Sequence, residues 1–193
     1  FHSVSAFCNA GFSLFSDSLV GAREHSLLVL TVALLVVTGG LGFPVIQDLR
    51  DRLRGRHTRL TLHSRLVLVA TGILLLGSTL LYLVFEWHHE LAPLGRLDRM
   101  VNAFFMAVTA RTAGFNTVHY DAVSNPSYFL TMALMWIGGG PSSVAGGVKI
   151  TTAALLLILL WSRLAGSDHV SIGGRTIPKE TVQRATGLAA GAM

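Results

Sequence analysis

Charge is missing from three long windows of the chain. Ser26 to Gln47 carries none over 22 residues and Leu66 to Phe85 none over 20, against the roughly 20 residues of helix that cross about 30 Å of hydrocarbon. Both are expected to be spanning helices, at 26–47 and 66–86. The third window, Ser127 to Ser162, holds one charge, Lys149, in 36 residues. As a straight helix at about 1.5 Å per residue it would measure roughly 54 Å, too long for one span. It reads instead as a broken helix over 127–162, interrupted at Gly138, Gly139, Gly140, Pro141, Ser142, Ser143, Ala145, Gly146 and Gly147. Glycine lowers helix propensity by about 1 kcal/mol and proline by about 3 kcal/mol. Irregular backbone at membrane depth persists only inside protein or beside a water-filled cavity. The window is therefore expected to be a loop in a permeation path; the alternative is a kinked helix whose small residues allow close helix packing.

Composition and charge place the chain in the bilayer. Hydrophobic residues make up 51% and charged ones 13%, and the charges gather between the apolar windows. Arg50, Arg52, Arg54, Arg56, Arg59 and Arg65, opposed by Asp51, mark a basic linker over 50–65 as cytoplasmic. A nucleic-acid patch would interleave aromatics and sit on a domain, so no nucleic acid is expected. Glu86 to Arg99 is then external, and the tail from Arg163, with Arg175, Lys179 and Arg184, returns inside over 163–193 as a linker and the start of a further helix.

Two stretches 103 residues apart are nearly the same: FCNAGFS from Phe7 to Ser13 and ARTAGFN from Ala110 to Asn116, with Ala10, Gly11 and Phe12 falling on Ala113, Gly114 and Phe115. Repetition concentrated in a loop marks a module that exists to present that loop. The apolar stretch from about Asp98 to Ala110 is too short to cross and has external flanks, so it is expected to be a re-entrant half-helix. Asp98 can cap its start, and its C-terminal end would present the negative end of the helix dipole to a cation. Gly114 can then take the φ > 0 geometry that turns successive carbonyls toward one axis, where carbonyl rings replace the hydration shell of an ion. Phe1 to Asn9 reads as the end of an equivalent half-helix, with Gly11 in the place of Gly114.

FHSVSAFCNAGFSLFSDSL, GGLGFPVIQDL, TARTAGFNT and MWIGGGPSSVAGGVKITT together resemble the Trk/Ktr/HKT superfamily of potassium transporters, most of all the membrane subunit of bacterial Ktr systems. The resemblance covers essentially the whole chain. It implies an all-α membrane protein of repeated helix, re-entrant pore loop, helix units around a pseudo-fourfold pore. Residues 1–49 would end one unit (pore loop 1–16), and 66–162 would form a complete one, with pore helix and filter at 98–117. The filter positions would be Asn9, Ala10, Gly11 and Phe12 in one unit and Thr112, Ala113, Gly114 and Phe115 in the other. Glycine at both Gly11 and Gly114 goes with K+ as the permeant ion, held by backbone carbonyls, with Na+ as a possible coupling ion. The segment from Gly138 to Gly147, with Lys149 below it, would be the gating loop. A homodimer on a cytoplasmic ring of nucleotide-binding regulatory subunits, in the bacterial plasma (inner) membrane, is implied as well. Cys8 departs from the asparagine expected there. Because the chain opens inside a pore segment and closes at the entry to another span, both ends are expected to be cut, with the first and fourth pore loops missing.

Two cations stand apart from the topology. Arg111 is expected either to brace the loop against a carboxylate such as Asp121 or Glu86, or to act at the foot of the pore helix. Lys149 would either repel or compete with a permeating ion, or snorkel to the interface or cap helix carbonyls. Enzyme readings fail on spacing. GGVKITT places Val148 between Gly147 and Lys149, unlike a phosphate-binding loop, and Ser142 and Ser143 have no histidine at their depth. His88, His89 and Glu90 lack the i, i+4 histidine pair of a zinc helix, and one cysteine permits no internal disulfide. The remaining alternative is a secondary cation transporter with re-entrant loops and a midplane site.

Overall fold

The computed structural model describes residues 1–55, 59–164, 171–172 and 175–176. The order is α1 (His2–Phe7), a 3-10 turn (Val20–Ala22), α2 (Ser26–Leu41), α3 (Phe43–Leu53), α4 (Leu62–Glu86), α5 (Arg96–Thr109), α6 (Asn125–Trp136) and α7 (Ile150–Leu164). A two-residue antiparallel hairpin follows, β1 (Ser171–Ile172) with β2 (Arg175–Thr176). The expected further helix near the C-terminus, and the tail cations Lys179 and Arg184, lie outside the described residues.

The long helix α4 is inside out relative to a helix of a soluble protein. Its buried positions, Ser64, Val67, Thr71, Leu75, Ser78, Tyr82 and Glu86, recur every three or four residues along one face and include most of its polar side chains. The opposite face exposes Ile73 (67%), Leu76 (68%) and Val84 (73%). At about 1.5 Å per residue its 25 residues extend roughly 37 Å, and a helix that is apolar outward suits hydrocarbon rather than water. Most of its hydroxyls are satisfied internally: Ser78 Oγ donates to the Leu74 carbonyl (2.5 Å), Thr79 Oγ1 to that of Leu75 (2.6 Å), and Tyr82 Oη meets Thr131 Oγ1 on α6 (2.7 Å), while the buried Thr71 Oγ1 has no partner. The shorter α2 follows the same rule, burying Val29, Val32, Ala33, Val36, Gly39 and Gly40 while Leu27 and Leu34 face out.

The uncharged window expected to run straight over 26–47 does not. The chain turns by 102° between α2 and α3, at Gly42, whose φ of 91° no β-carbon tolerates cheaply. Pro44 in the first turn of α3 suits the start of a new helix. The sequence contained this stop and start, Gly42 followed by Phe43-Pro44, but the absence of charge concealed it. Asp48 on α3 then accepts from Thr61 Oγ1 (2.6 Å), Thr61 N (3.2 Å) and Ser64 Oγ (2.6 Å), tying α3 to the first turn of α4.

At the other end of α4, the fully buried Glu86 accepts from Ser124 N (2.9 Å) and Ser124 Oγ (2.5 Å) at the N-terminus of α6, and from Glu90 N (3.3 Å). The intervening segment is clamped by Arg99, which donates from Nε to the Leu94 carbonyl (2.8 Å) and from Nη1 to that of Trp87 (3.1 Å), with its guanidinium 4.9 Å over the Trp87 ring. Asp98 does not cap α5, as had been expected: Gly95 holds that position. Asp98 sits in the first turn and accepts from Ser26 Oγ at 2.5 Å, joining α5 to the start of α2. Replacing Glu86 with alanine would strand buried donors of the α6 terminus. Glu86→Ala is expected to cost about 2 kcal/mol, read as a lowered thermal unfolding midpoint of the purified protein in detergent.

Candidate ion filter and gating loop

Each repeated loop follows the end of a short helix and adopts the same backbone. Positive φ recurs at alternate residues, Asn9 (50°) and Gly11 (70°) in the first loop, Thr112 (70°) and Gly114 (84°) in the second. Left-handed geometry suits glycine and is tolerated by asparagine, but is a strained conformation for β-branched Thr112. In each unit a hydroxyl from the preceding helix ties down the residue after the turn: Ser5 Oγ donates to the Phe12 carbonyl (2.8 Å) and Thr109 Oγ1 to that of Phe115 (2.5 Å).

The two turns touch. A β-carbon built on Gly11 would lie 2.6 Å from the Ala113 carbonyl oxygen and 2.9 Å from Gly114 Cα, and one on Gly114 would lie 3.4 Å from Gly11 Cα. Two further bonds join the loops beyond the turns, Leu19 N to the Asn116 carbonyl (2.9 Å) and Asn116 N to Ser18 Oγ (3.0 Å). The structure thus brings Asn9, Ala10, Gly11 and Phe12 beside Thr112, Ala113, Gly114 and Phe115. Ala113 and Phe115 are buried, whereas Phe12 is exposed.

The glycine-rich window between α6 and α7 forms a loop over residues 137–149. Its ends are closed by a parallel bridge between Ile137 and Val148, in which Gly138 N donates to the Val148 carbonyl (2.9 Å) and Val148 N to that of Trp136 (3.2 Å). Ser142 (56°) and Gly147 (71°) supply its left-handed corners. The loop lies on the break between α2 and α3: Gly140 N donates to the Gly40 carbonyl (2.8 Å) and Phe43 N to that of Ser142 (3.2 Å). It also reaches the second repeated turn, where Gly146 N donates to Thr112 Oγ1 (3.2 Å). The Lys149 ammonium donates to the Ala145 carbonyl (2.7 Å), a carbonyl of the loop itself and not of a helix.

Arg111 is corrected. Neither expected carboxylate meets it: Glu86 is taken up by Ser124, Asp121 is exposed, and the ion pair found among the described residues is Arg23 with Glu90 (3.3 Å). The residues missed at the sequence level are Gly39, Gly40 and Gly42, the seat on which the loop rests. The motif GGLGFP contained the signal, a glycine cluster like that of the later window, but it lay in a stretch taken as continuous helix.

TrkH-type cation transport proteins, as a family, match residues 1–188 of this chain. The potassium/sodium uptake protein NtpJ of Enterococcus hirae is 41% identical over 189 residues, covering 97% of this chain and 42% of that protein. The Ktr system potassium uptake protein B of Vibrio alginolyticus is 38% identical, with the same coverages of 97% and 42%. The crystal structure of the potassium transporter TrkH from Vibrio parahaemolyticus shares the fold, with a TM-score of 0.77 at 22% identity over 98% of this chain and 41% of that one. The chain therefore spans about two fifths of the length of the relatives it matches.

Close approach makes a contrast of glycines informative. A β-carbon on Gly39 would fall 1.9 Å from the Phe7 carbonyl oxygen, while one on Gly77 meets nothing within 4 Å. Gly39→Ala is expected to destabilise by roughly 1–3 kcal/mol through forced backbone displacement, and Gly77→Ala to be neutral or stabilising by up to about 1 kcal/mol, both read as thermal midpoints. By its sequence match and its helical architecture, the chain belongs to the TrkH family of cation transport proteins.

Proposed function

We propose that these residues supply pore units of a potassium uptake transporter, in which the two touching turns form part of a carbonyl-lined selectivity filter and residues 137–149 form the gate beneath it. The observation that carries this reading is the paired backbone: positive φ at Asn9 and Gly11, repeated at Thr112 and Gly114, in turns close enough to exclude a β-carbon. A dehydrated monovalent cation needs oxygen dipoles at fixed positions with no side chain between them and the axis. Alternating handedness at a glycine supplies such dipoles from a four-residue turn. The ends of α1 and α5, one before each turn, add the negative pole of a helix to the same place.

In this reading α1 and α5 are re-entrant half-helices, α2, α4 and the broken α6–α7 pair are the membrane elements around them, and the units sit around a pseudo-fourfold axis. The basic linker over 50–65 faces the cytoplasm. The relatives, more than twice as long, carry the names of potassium or potassium/sodium uptake proteins, which supports K+ as the permeant ion with Na+ as a coupling ion. Glycine at both Gly11 and Gly114 supports the same ion. A homodimer in the bacterial plasma membrane, seated on a cytoplasmic regulatory ring, fits a chain related to a component of a Ktr system.

The gate assignment rests on contacts that tie a glycine-rich loop to the filter and to the α2–α3 break at once, through Thr112 and Gly40. A loop held by a few main-chain bonds can swing aside at modest cost, and the ammonium of Lys149 on the Ala145 carbonyl holds it in place.

Two measurements test this, both as ion uptake by the complete transporter in cells lacking their own potassium systems. Gly114→Ser is expected to lower discrimination of K+ over Na+ with expression retained; unchanged discrimination removes Gly114 from the filter. Lys149→Met removes one charge-assisted bond and is expected to raise the initial K+ uptake rate by up to about tenfold. A rate at or below wild type would mean that the bond is packing and not a latch.

A further inference from the structure

Arg111 immediately precedes the strained Thr112 and is 7% exposed, and its Nε–H has no acceptor. An unsatisfied buried donor on a charged group is costly. Arg111 borders a pocket of about 10 Å³ that is also lined by Asn9, Gly40, Gly139, Ala145 and the valines Val36, Val37 and Val108. That is about the least space that holds one water.

The chemistry of the lining is unusual for so small a space. Asn9 follows the end of α1, Gly40 lies in the last turn of α2, Arg111 follows α5 and Gly139 follows α6. Each of these positions ends or follows a helix, whose C-terminal carbonyls favour a nearby cation. Asn9 completes the set. Its amide is best oriented with Nδ2 donating to the Ala6 and Val36 carbonyls at 3.2 Å each, which turns Oδ1 to the side of Gly40.

We propose that this pocket is a binding site for a single ordered water, which accepts from Arg111 Nε–H and donates to Asn9 Oδ1, and that Arg111 thereby acts as a positioning residue for ion selection. Asn9 and Thr112 are the equivalent left-handed residues of the two turns. One water bonded to the side chain of Asn9 and to the residue before Thr112 fixes the spacing of the turns from behind, out of reach of the permeating ion. The same pocket touches the gating loop at Gly139 and Ala145, so displacement of that loop would uncover the water and loosen the turns. The inference rests on the filter reading proposed above.

Gly40→Ala is the discriminating variant. A β-carbon there meets only the Asn9 amide, at 3.5 Å, an ordinary contact, and alanine favours the helix, so the pocket is filled without strain. In the complete transporter, Gly40→Ala and Arg111→Gln are each expected to lower K+ over Na+ discrimination by about tenfold, the value of one buried hydrogen bond, while Gly40→Ala keeps the wild-type thermal midpoint or raises it. A structure of the wild type at a resolution that shows ordered waters should place one between Arg111 Nε and Asn9 Oδ1, lost in Gly40→Ala. If Arg111→Gln does not accumulate, Gly40→Ala decides alone. Wild-type discrimination in Gly40→Ala, or the lack of that water in the wild type, overturns the inference. Measuring Gly114→Ser in the same assay separates the two failures. If it alters discrimination while Gly40→Ala does not, the water site falls and the filter stands; if neither alters it, the filter reading falls too.

Discussion

Main chain packed directly against main chain is the constraint on which this structure depends. Gly11 lies on Gly114, Gly39 on the Phe7 carbonyl, Gly42 on that of Pro141, Gly138 on that of Gly146 and Gly140 on that of Leu41, each with less than 3 Å available to a β-carbon. A side chain at any of these positions would force the main chains apart. The two repeated turns, the loop between α6 and α7, and the α2–α3 break are one stack of backbone, and the helices around it are its casing.

The casing is built on reversed polarity. On α4 the buried stripe runs Ser64, Thr71, Ser78, Tyr82, Glu86, and the exposed face is aliphatic. Small hydroxyl residues inward permit close approach, with Ser78 bonding back to the Leu74 carbonyl, Ser64 to Asp48 and Tyr82 to Thr131, while Thr71 has no partner. The bonds of the carboxylates lie at the outer margins of the casing, with Asp48 at the start of α4 and Glu86 and the Arg23–Glu90 pair at its other end, beside Arg99. Lys149, on the Ala145 carbonyl, and Arg111 are the cations within, and neither pairs with an acid among the described residues.

What the sequence disclosed and what it hid follow from the range of the interactions. The helix α4 and the break within the third window are local patterns of charge exclusion and glycine content, and the kinship of the two loops is a repeated string that needs no knowledge of contacts. The turn at Gly42 is also local, but it was masked because the apolar criterion ignores helix stops. The seat of the loop on Gly40, the Thr112–Gly146 bond and the partner of Glu86 join residues 34 to 100 positions apart. Nothing in the spacing of single residues encodes such pairs. The error over Arg111 has a physical origin as well: a cation in an apolar segment suggests an acid, whereas nearby helix ends leave no mark on composition.

The two repeated units are unequal below their turns. The first breaks its helix at the single residue Gly42, the second over residues 137–149. Under the reading proposed above, the second unit can move its loop without a matching rearrangement of the first.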